Sequence, residues 1–148
     1  MLRSILMGLV AGQRSMAPLA ALAGAARLGT LLHDNPQTRL MGRPLVAAGG
    51  VAMAAAEMAG DKMKTAPDRT VFLGLVARTV TGGFAGAALA PPRRQFEGAA
   101  LGVGAAIASS YCGLATRKRA MQHANQTTSG FIEDALVLSA AFAIANAR

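Results

Sequence analysis

The chain has no tryptophan, one tyrosine, one cysteine and two histidines in 148 residues, with only seven acidic side chains against fifteen basic ones. Each scarcity excludes something. A single cysteine, Cys112, rules out an intramolecular disulfide and a cysteine-based metal site. It lies in an apolar run, where a small buried packing residue is expected. His33 and His123 sit in polar loops far apart in the sequence, so they read as solvated residues and form no metal-binding pair. There is no glycine-rich nucleotide loop and no Ser/His/Asp set at a recognisable elbow. The sequence therefore points to no enzyme, no metal and no cofactor. Tyr111 alone cannot form an aromatic belt. Charged residues make up 15% of the chain, against about 25% in an average soluble domain, and that deficit points to lipid.

The content that remains is apolar and small. Hydrophobic residues are 53% of the sequence and there are 17 glycines, a composition suited to helices that approach closely in hydrocarbon. Met7, Met16, Met41, Met53, Met58 and Met63 read as gap-fillers or lipid-facing residues and not as a copper path. The formal charge of +8 does not cluster into a phosphate-binding face. Basic residues fall in short runs between apolar segments (Arg39 and Arg43; Lys62, Lys64 and Arg69; Arg93 and Arg94; Arg117 to Arg119), as in membrane loops, so no nucleic-acid partner is expected. Arg3 followed by an apolar stretch resembles a secretory signal. The hydrophobic pattern continues past Pro18 to Leu32, however, and a similar segment recurs later, so it reads as retained.

Five apolar stretches organise one domain over residues 1–148. The first, Ser4 to Leu32, would be roughly 43 Å long as a continuous helix, more than a hydrocarbon core of about 30 Å. Gly12 and Pro18 flank Gln13-Arg14-Ser15, so a discontinuity near Arg14 is expected. His33 to Arg39 reads as a polar linker. The second stretch, Pro44 to Gly60, opens on a proline suited to a first helical turn. The third, Thr70 to Ala90, ends at Pro91-Pro92. The fourth runs from Phe96 to Thr116. The last, Phe131 to Ala147, is expected to take its N-cap from Thr127, Thr128 or Ser129, with Glu133 and Asp134 at the positive end of its dipole.

Arg3-Ser4-Ile5-Leu6-Met7-Gly8-Leu9-Val10-Ala11 aligns without gaps to Arg69-Thr70-Val71-Phe72-Leu73-Gly74-Leu75-Val76-Ala77, with five identities and four conservative pairs. A two-residue slip then sets Arg14-Ser15 on Arg78-Thr79. Two related repeats follow, about 3–68 and 69–148, the ground plan of many transporters. With five spans, seven basic residues fall on the N-terminal side and five on the other, a thin bias to a cytoplasmic N-terminus that leaves dual topology open.

Charge inside apolar helices is the main functional signal, because a charge at the bilayer centre costs about 2.5–3.5 kcal/mol on insertion scales. Arg14, with Ser15 beside it, and Arg78 are internal to stretches one and three. Glu57 and Asp61, followed by Lys62, share a helical face at the end of stretch two. Glu133 and Asp134 open the last stretch. Two arginines and four acids can form one buried network, read either as a route for an ion or small solute or as structural ion pairs. Gly8 and Gly12, Gly82 and Gly86, and Gly98 and Gly102 each place two glycines on one helix face, a close-packing signature pointing to a tight bundle or homo-oligomer.

Taken together, Gly12-x-Arg14-Ser15-x2-Pro18-Leu19, Glu57-x3-Asp61-Lys62, Arg78 with Gly82-Gly83-x2-Gly86, and Glu133-Asp134 resemble the bacterial membrane proteins grouped as domain of unknown function 4126. The resemblance covers nearly the whole chain, departing from the pattern at Arg117 to Arg119. It implies a multi-pass protein of the bacterial inner (cytoplasmic) membrane and supplies no substrate. The expected fold is an all-α polytopic bundle of about five spanning or half-spanning helices. The expected role is a small transporter or channel component, with a non-transporting scaffold that organises lipid or a partner as the alternative.

Overall fold

A computed structural model describes residues 1–60, 72–120 and 126–147, with side chains for all of these except 114–120 and 126–130. The described residues form seven helices and no strand: α1 Leu2–Gln13, α2 Ala17–Leu28, α3 Pro36–Met41, α4 Pro44–Gly60, α5 Phe72–Leu89, α6 Gln95–Ala120 and α7 Gln126–Asn146.

The first apolar stretch breaks where its sequence is least helical. Arg14 closes α1 in an extended conformation (φ −139°, ψ 112°), and Pro18 stands in the first turn of α2, where its missing N–H costs nothing. α2 stops at Gly29, whose φ of 66° favours glycine. There the Thr30 N–H returns to the Ala25 carbonyl at 3.0 Å, a Schellman closure.

The linker expected over His33 to Arg39 holds an additional short helix. Asn35 accepts from the Thr38 N–H at 3.0 Å while Thr38 Oγ1 accepts from the Asn35 N–H at 2.9 Å, with Pro36 opening the turn. This reciprocal cap satisfies two otherwise orphaned donors. Asn35 Nδ2 also donates to the Ala88 carbonyl at 2.9 Å, fixing α3 to the far end of α5.

Two boundaries differ from expectation. α6 runs through Arg117 to Arg119, and α7 begins at Gln126 instead of Phe131. Thr127, Thr128 and Ser129 therefore lie inside α7 and do not cap it, and no acid occupies its first turn. The run from Gln126 to Gly130 contains no proline, and one glycine in a helix costs only about 1 kcal/mol. Glu133 and Asp134 consequently sit two turns into the helix, beyond the reach of its N-terminal dipole.

The bundle is assembled around α1, which packs against α5, α6 and α7, while α2 lies against α4, α7 and α3. Glycine sets the spacing of α1, α5 and α6. A Cβ on Gly12 would stand 2.5 Å from the Ala106 carbonyl oxygen, one on Gly98 2.5 Å from that of Gly86, and one on Gly8 2.8 Å from Ala105 Cβ. Cβ additions on Gly82, Gly86 and Gly102 would likewise collide with backbone or Cβ atoms of the facing helix. Gly8, Gly12, Gly82, Gly86, Gly98 and Gly102 thus each stand at a close approach between helices of one chain.

The distribution of residue size is unusual for a bundle. Among the described residues, the buried hydrophobic set comprises fourteen alanines against five larger residues, Met7, Val10, Leu22, Met41 and Leu89. Among the same residues twenty large hydrophobic side chains are instead exposed, with Leu45 and Phe96 at 88% and Phe72 at 81%. A soluble protein places its largest apolar groups inside. Among the described residues one helix, α5, is both long and apolar enough to cross a bilayer, and half of it is buried in the bundle. α2 and α4 are apolar but shorter.

Candidate functional site

The break between α1 and α2 is where three of the expected charged residues, Arg14, Glu57 and Asp134, meet. Helix starts leave backbone N–H groups without intrahelical acceptors. At this break the N–H groups of Ser15 and Met16 point to Glu57 near the end of α4. Glu57 Oε1 accepts from the Ser15 N–H at 2.8 Å and from Ser15 Oγ at 2.7 Å, and Oε2 accepts from the Met16 N–H at 2.8 Å. Both oxygens are engaged by donors, and the carboxylate stands at the positive end of α2. Hydrogen bonds to a charged group contribute about 1.5–3 kcal/mol each. The charge of Glu57 is thus met by a helix terminus, where the sequence suggested an arginine partner.

Arg14, one residue earlier, turns to α7. Its guanidinium lies 2.6 Å from Asp134 Oδ1, and the two side chains are only 3% and 8% exposed. Their enclosure removes both from water at a cost of several kcal/mol per ion, which mutual attraction and added hydrogen bonds must offset. The pair joins the break to the last helix, as Glu57 joins it to α4.

Arg78, aligned with Arg14 in the repeat, is also buried, on the face of α5 that carries Thr81, Gly82, Ala85 and Gly86. Thr81 Oγ1 donates to the Ala77 carbonyl at 2.9 Å beside it. Glu133 is half-buried on α7. Asp61 and Lys62 lie outside the described residues. Of the expected set, the structure brings Arg14 to Asp134 and Ser15 to Glu57, two separate engagements on opposite sides of one break.

Other polar groups in the bundle were not singled out in the sequence. Gln13 Nε2 donates to the carbonyl and hydroxyl oxygens of Ser109 at 2.9 and 2.8 Å, and Ser109 Oγ donates to the Leu9 carbonyl at 2.7 Å. Ser110 is fully buried and donates to the Ala106 carbonyl at 2.8 Å. These contacts tie the end of α1 to α6. Two serines inside an apolar run were the available signal, since a buried hydroxyl needs a partner. Arg3 donates to the Ile144 and Ala145 carbonyls at 3.1 and 2.7 Å, filling acceptors that the end of α7 leaves open. Thr30 and Asn146 hydrogen-bond at the same end.

A groove of about 400 Å³ runs between α6 and α7 with α1 as its floor, lined by Leu9, Val10, Gln13, Ser109, Leu136 and Val137 among others. Cys112 also lines it and is exposed, not buried as its apolar context suggested. Comparison with protein-family models, with curated proteins and with solved structures found no match, so the family resemblance rests on its short motifs alone.

Proposed function

We propose that the chain is a multi-pass protein of the bacterial inner membrane, built from two related repeats, that moves a small ion or solute past the charged break between α1 and α2. The observation that carries this reading is the break itself: a helix interrupted inside an apolar bundle, with an arginine, two acids and a helix N-terminus gathered around it. Discontinuous helices in membrane proteins are tolerated where the interrupted backbone is buried in protein or lines a cavity, and in many transporters they form the binding site.

Membrane residence is supported by the inverted size distribution. Helices in lipid gain nothing by hiding large apolar groups from their solvent, and small residues let them pack. The exposed Leu45, Phe72, Leu73, Phe96 and Leu136 would then face acyl chains. The two-repeat reading is supported by the aligned helices α1 and α5, both of which pack on α6 through glycines. Exposed apolar surface outside the bundle is also compatible with a homo-oligomer.

A second reading is favoured by one specific observation. Arg14 and Asp134 close on each other at 2.6 Å, and Glu57 is fully engaged, so these charges satisfy one another as a scaffold would require. Flux measurements separate the two. In vesicles containing purified protein, the transport reading expects ion or solute flux above empty vesicles, reduced at least tenfold by Asp134→Asn or Glu57→Gln. Absence of flux across a panel of inorganic ions and small metabolites, with both variants merely less stable, would favour the scaffold. Extraction of the protein into buffer without detergent would remove the membrane reading altogether.

A further inference from the structure

We propose that α4 is a movable helix held to the bundle by a proton-sensitive latch, the Glu57 carboxylate seated on the α1–α2 break. The inference stands on packing and does not require that the protein transport anything.

α4 meets the bundle along one stripe, Val46, Gly50, Ala54 and Glu57, spaced by four, four and three residues on a single helical face. Of its 17 residues only Gly50 and Ala54 are buried, and Val46 is partly so. Gly50 lies against the backbone of Leu19 in α2, where an added Cβ would find ordinary contact at 3.7 Å. Most of α4 faces away from the bundle, so few of its residues hold it in place. The specific tie is at one end: three hydrogen bonds of 2.7–2.8 Å from the break to Glu57.

That tie depends on the charge of the carboxylate. The N–H groups of Ser15 and Met16 can only donate. A proton on Oε2 sets O–H against the Met16 N–H, and a proton on Oε1 leaves only the Ser15 hydroxyl able to turn and accept. The helix terminus also loses the negative charge it favours. Among the described residues, the other charged groups near α4 are placed elsewhere. α2 carries a single one, Arg27 in its last turn, exposed and remote from the break. α3 carries Arg39, engaged with Asp34. At the break itself stands Arg14, committed to Asp134 on α7. Protonation therefore frees the Glu57 end of α4 while the Arg14–Asp134 side of the break stays closed.

The test is a pair of spin labels on the full chain in vesicles. They are placed at the exposed positions Met53 on α4 and Leu28 on α2 in a Cys112→Ala background, and interlabel distances are read at about pH 7.5 and about pH 3, above and below the ordinary glutamate value of about 4.3. A single narrow distance is expected at neutral pH, with a longer population appearing in acid. Glu57→Gln should show the longer population at both pH values. Labels at Val80 on α5 and Ile107 on α6 report the rest of the bundle and should not move. Three results would each overturn the latch: an acid distribution unchanged in the native chain, a pH step that survives in Glu57→Gln, or equal broadening at the α5–α6 pair. Flux is not read in this experiment, so a failed latch and a failed transport reading remain distinct.

Discussion

The enclosed pair of Arg14 and Asp134 lends itself to a quantitative test, because the energetics of removing one partner and of removing both have opposite expectations. At 2.6 Å and an effective dielectric of about 20, the Coulomb attraction is roughly 6 kcal/mol. Desolvation of two nearly enclosed ions offsets most of it. Removing one partner forfeits the attraction and leaves the other desolvation cost in place. Asp134→Leu and Arg14→Met are each expected to lose about 3–5 kcal/mol. The double variant Arg14→Met with Asp134→Leu removes both ions and keeps comparable volume. It is expected within about 2 kcal/mol of the native chain, more stable than either single variant. The backbone does not complicate the substitution, since the extended conformation of Arg14 suits any residue. Chemical denaturation in mild detergent, followed by circular dichroism, gives the four corners of the cycle. A coupling energy of at least about 3 kcal/mol is expected. A value below about 1 kcal/mol, or single variants whose losses simply add in the double, would refute the argument that the charges compensate each other.

Other substitutions test separate parts of the account. Gly102→Ala forces a Cβ onto the Gly82 carbonyl and should cost about 1–3 kcal/mol, whereas Gly49→Ala, with nothing within 4 Å, should be neutral or gain up to about 1 kcal/mol; equal effects in the same denaturation assay would deny that glycine sets the helix spacing. Arg3→Ala should cost about 1.5–3 kcal/mol through two lost charge-assisted bonds and should speed hydrogen exchange at the end of α7; unchanged exchange there would remove Arg3 as its cap. Arg39, hydrogen-bonded to Asp34 at 2.8 Å, holds that carboxyl below its usual range, so any stability from the pair is present at neutral pH and fades as acid protonates Asp34. Both side chains are open to solvent, so Asp34→Asn should leave the neutral-pH Tm unchanged, and a fall of several degrees would contradict this.

Sequence reasoning reached some of these features and not others, for identifiable reasons. The all-helical class, the break at Arg14 and the span of α4 from Pro44 to Gly60 follow from composition and from the placement of proline and glycine, which act locally. The glycine pairs were readable because two glycines four apart share a face whatever the fold. Partner choice was not readable. Asp134 meets Arg14 because α7 crosses α1, and nothing local encodes that crossing. Glu57 found backbone amides because a helix break presents donors as strong as a side chain, an option that counting arginines against acids overlooks. α3 was missed although Asn35-Pro36-Gln37-Thr38 carries its cap, because a six-residue helix with reciprocal capping has the composition of a turn. The start of α7 was placed late because a polar run was taken for a loop, when only proline would have forbidden the helix.

The contacts of α7 also bear on how the bundle comes together. Arg3 grips the carbonyls of Ile144 and Ala145, 141 and 142 positions away in the chain, and Arg14 reaches Asp134 on that same helix. The opening helix therefore emerges from the ribosome carrying two cations whose counterparts have not yet been synthesised. Until they arrive, Arg3 and Arg14 lack these partners, and α1 cannot take its final place among the other helices. Assembly of the bundle thus waits for α7, which closes on a helix made long before it.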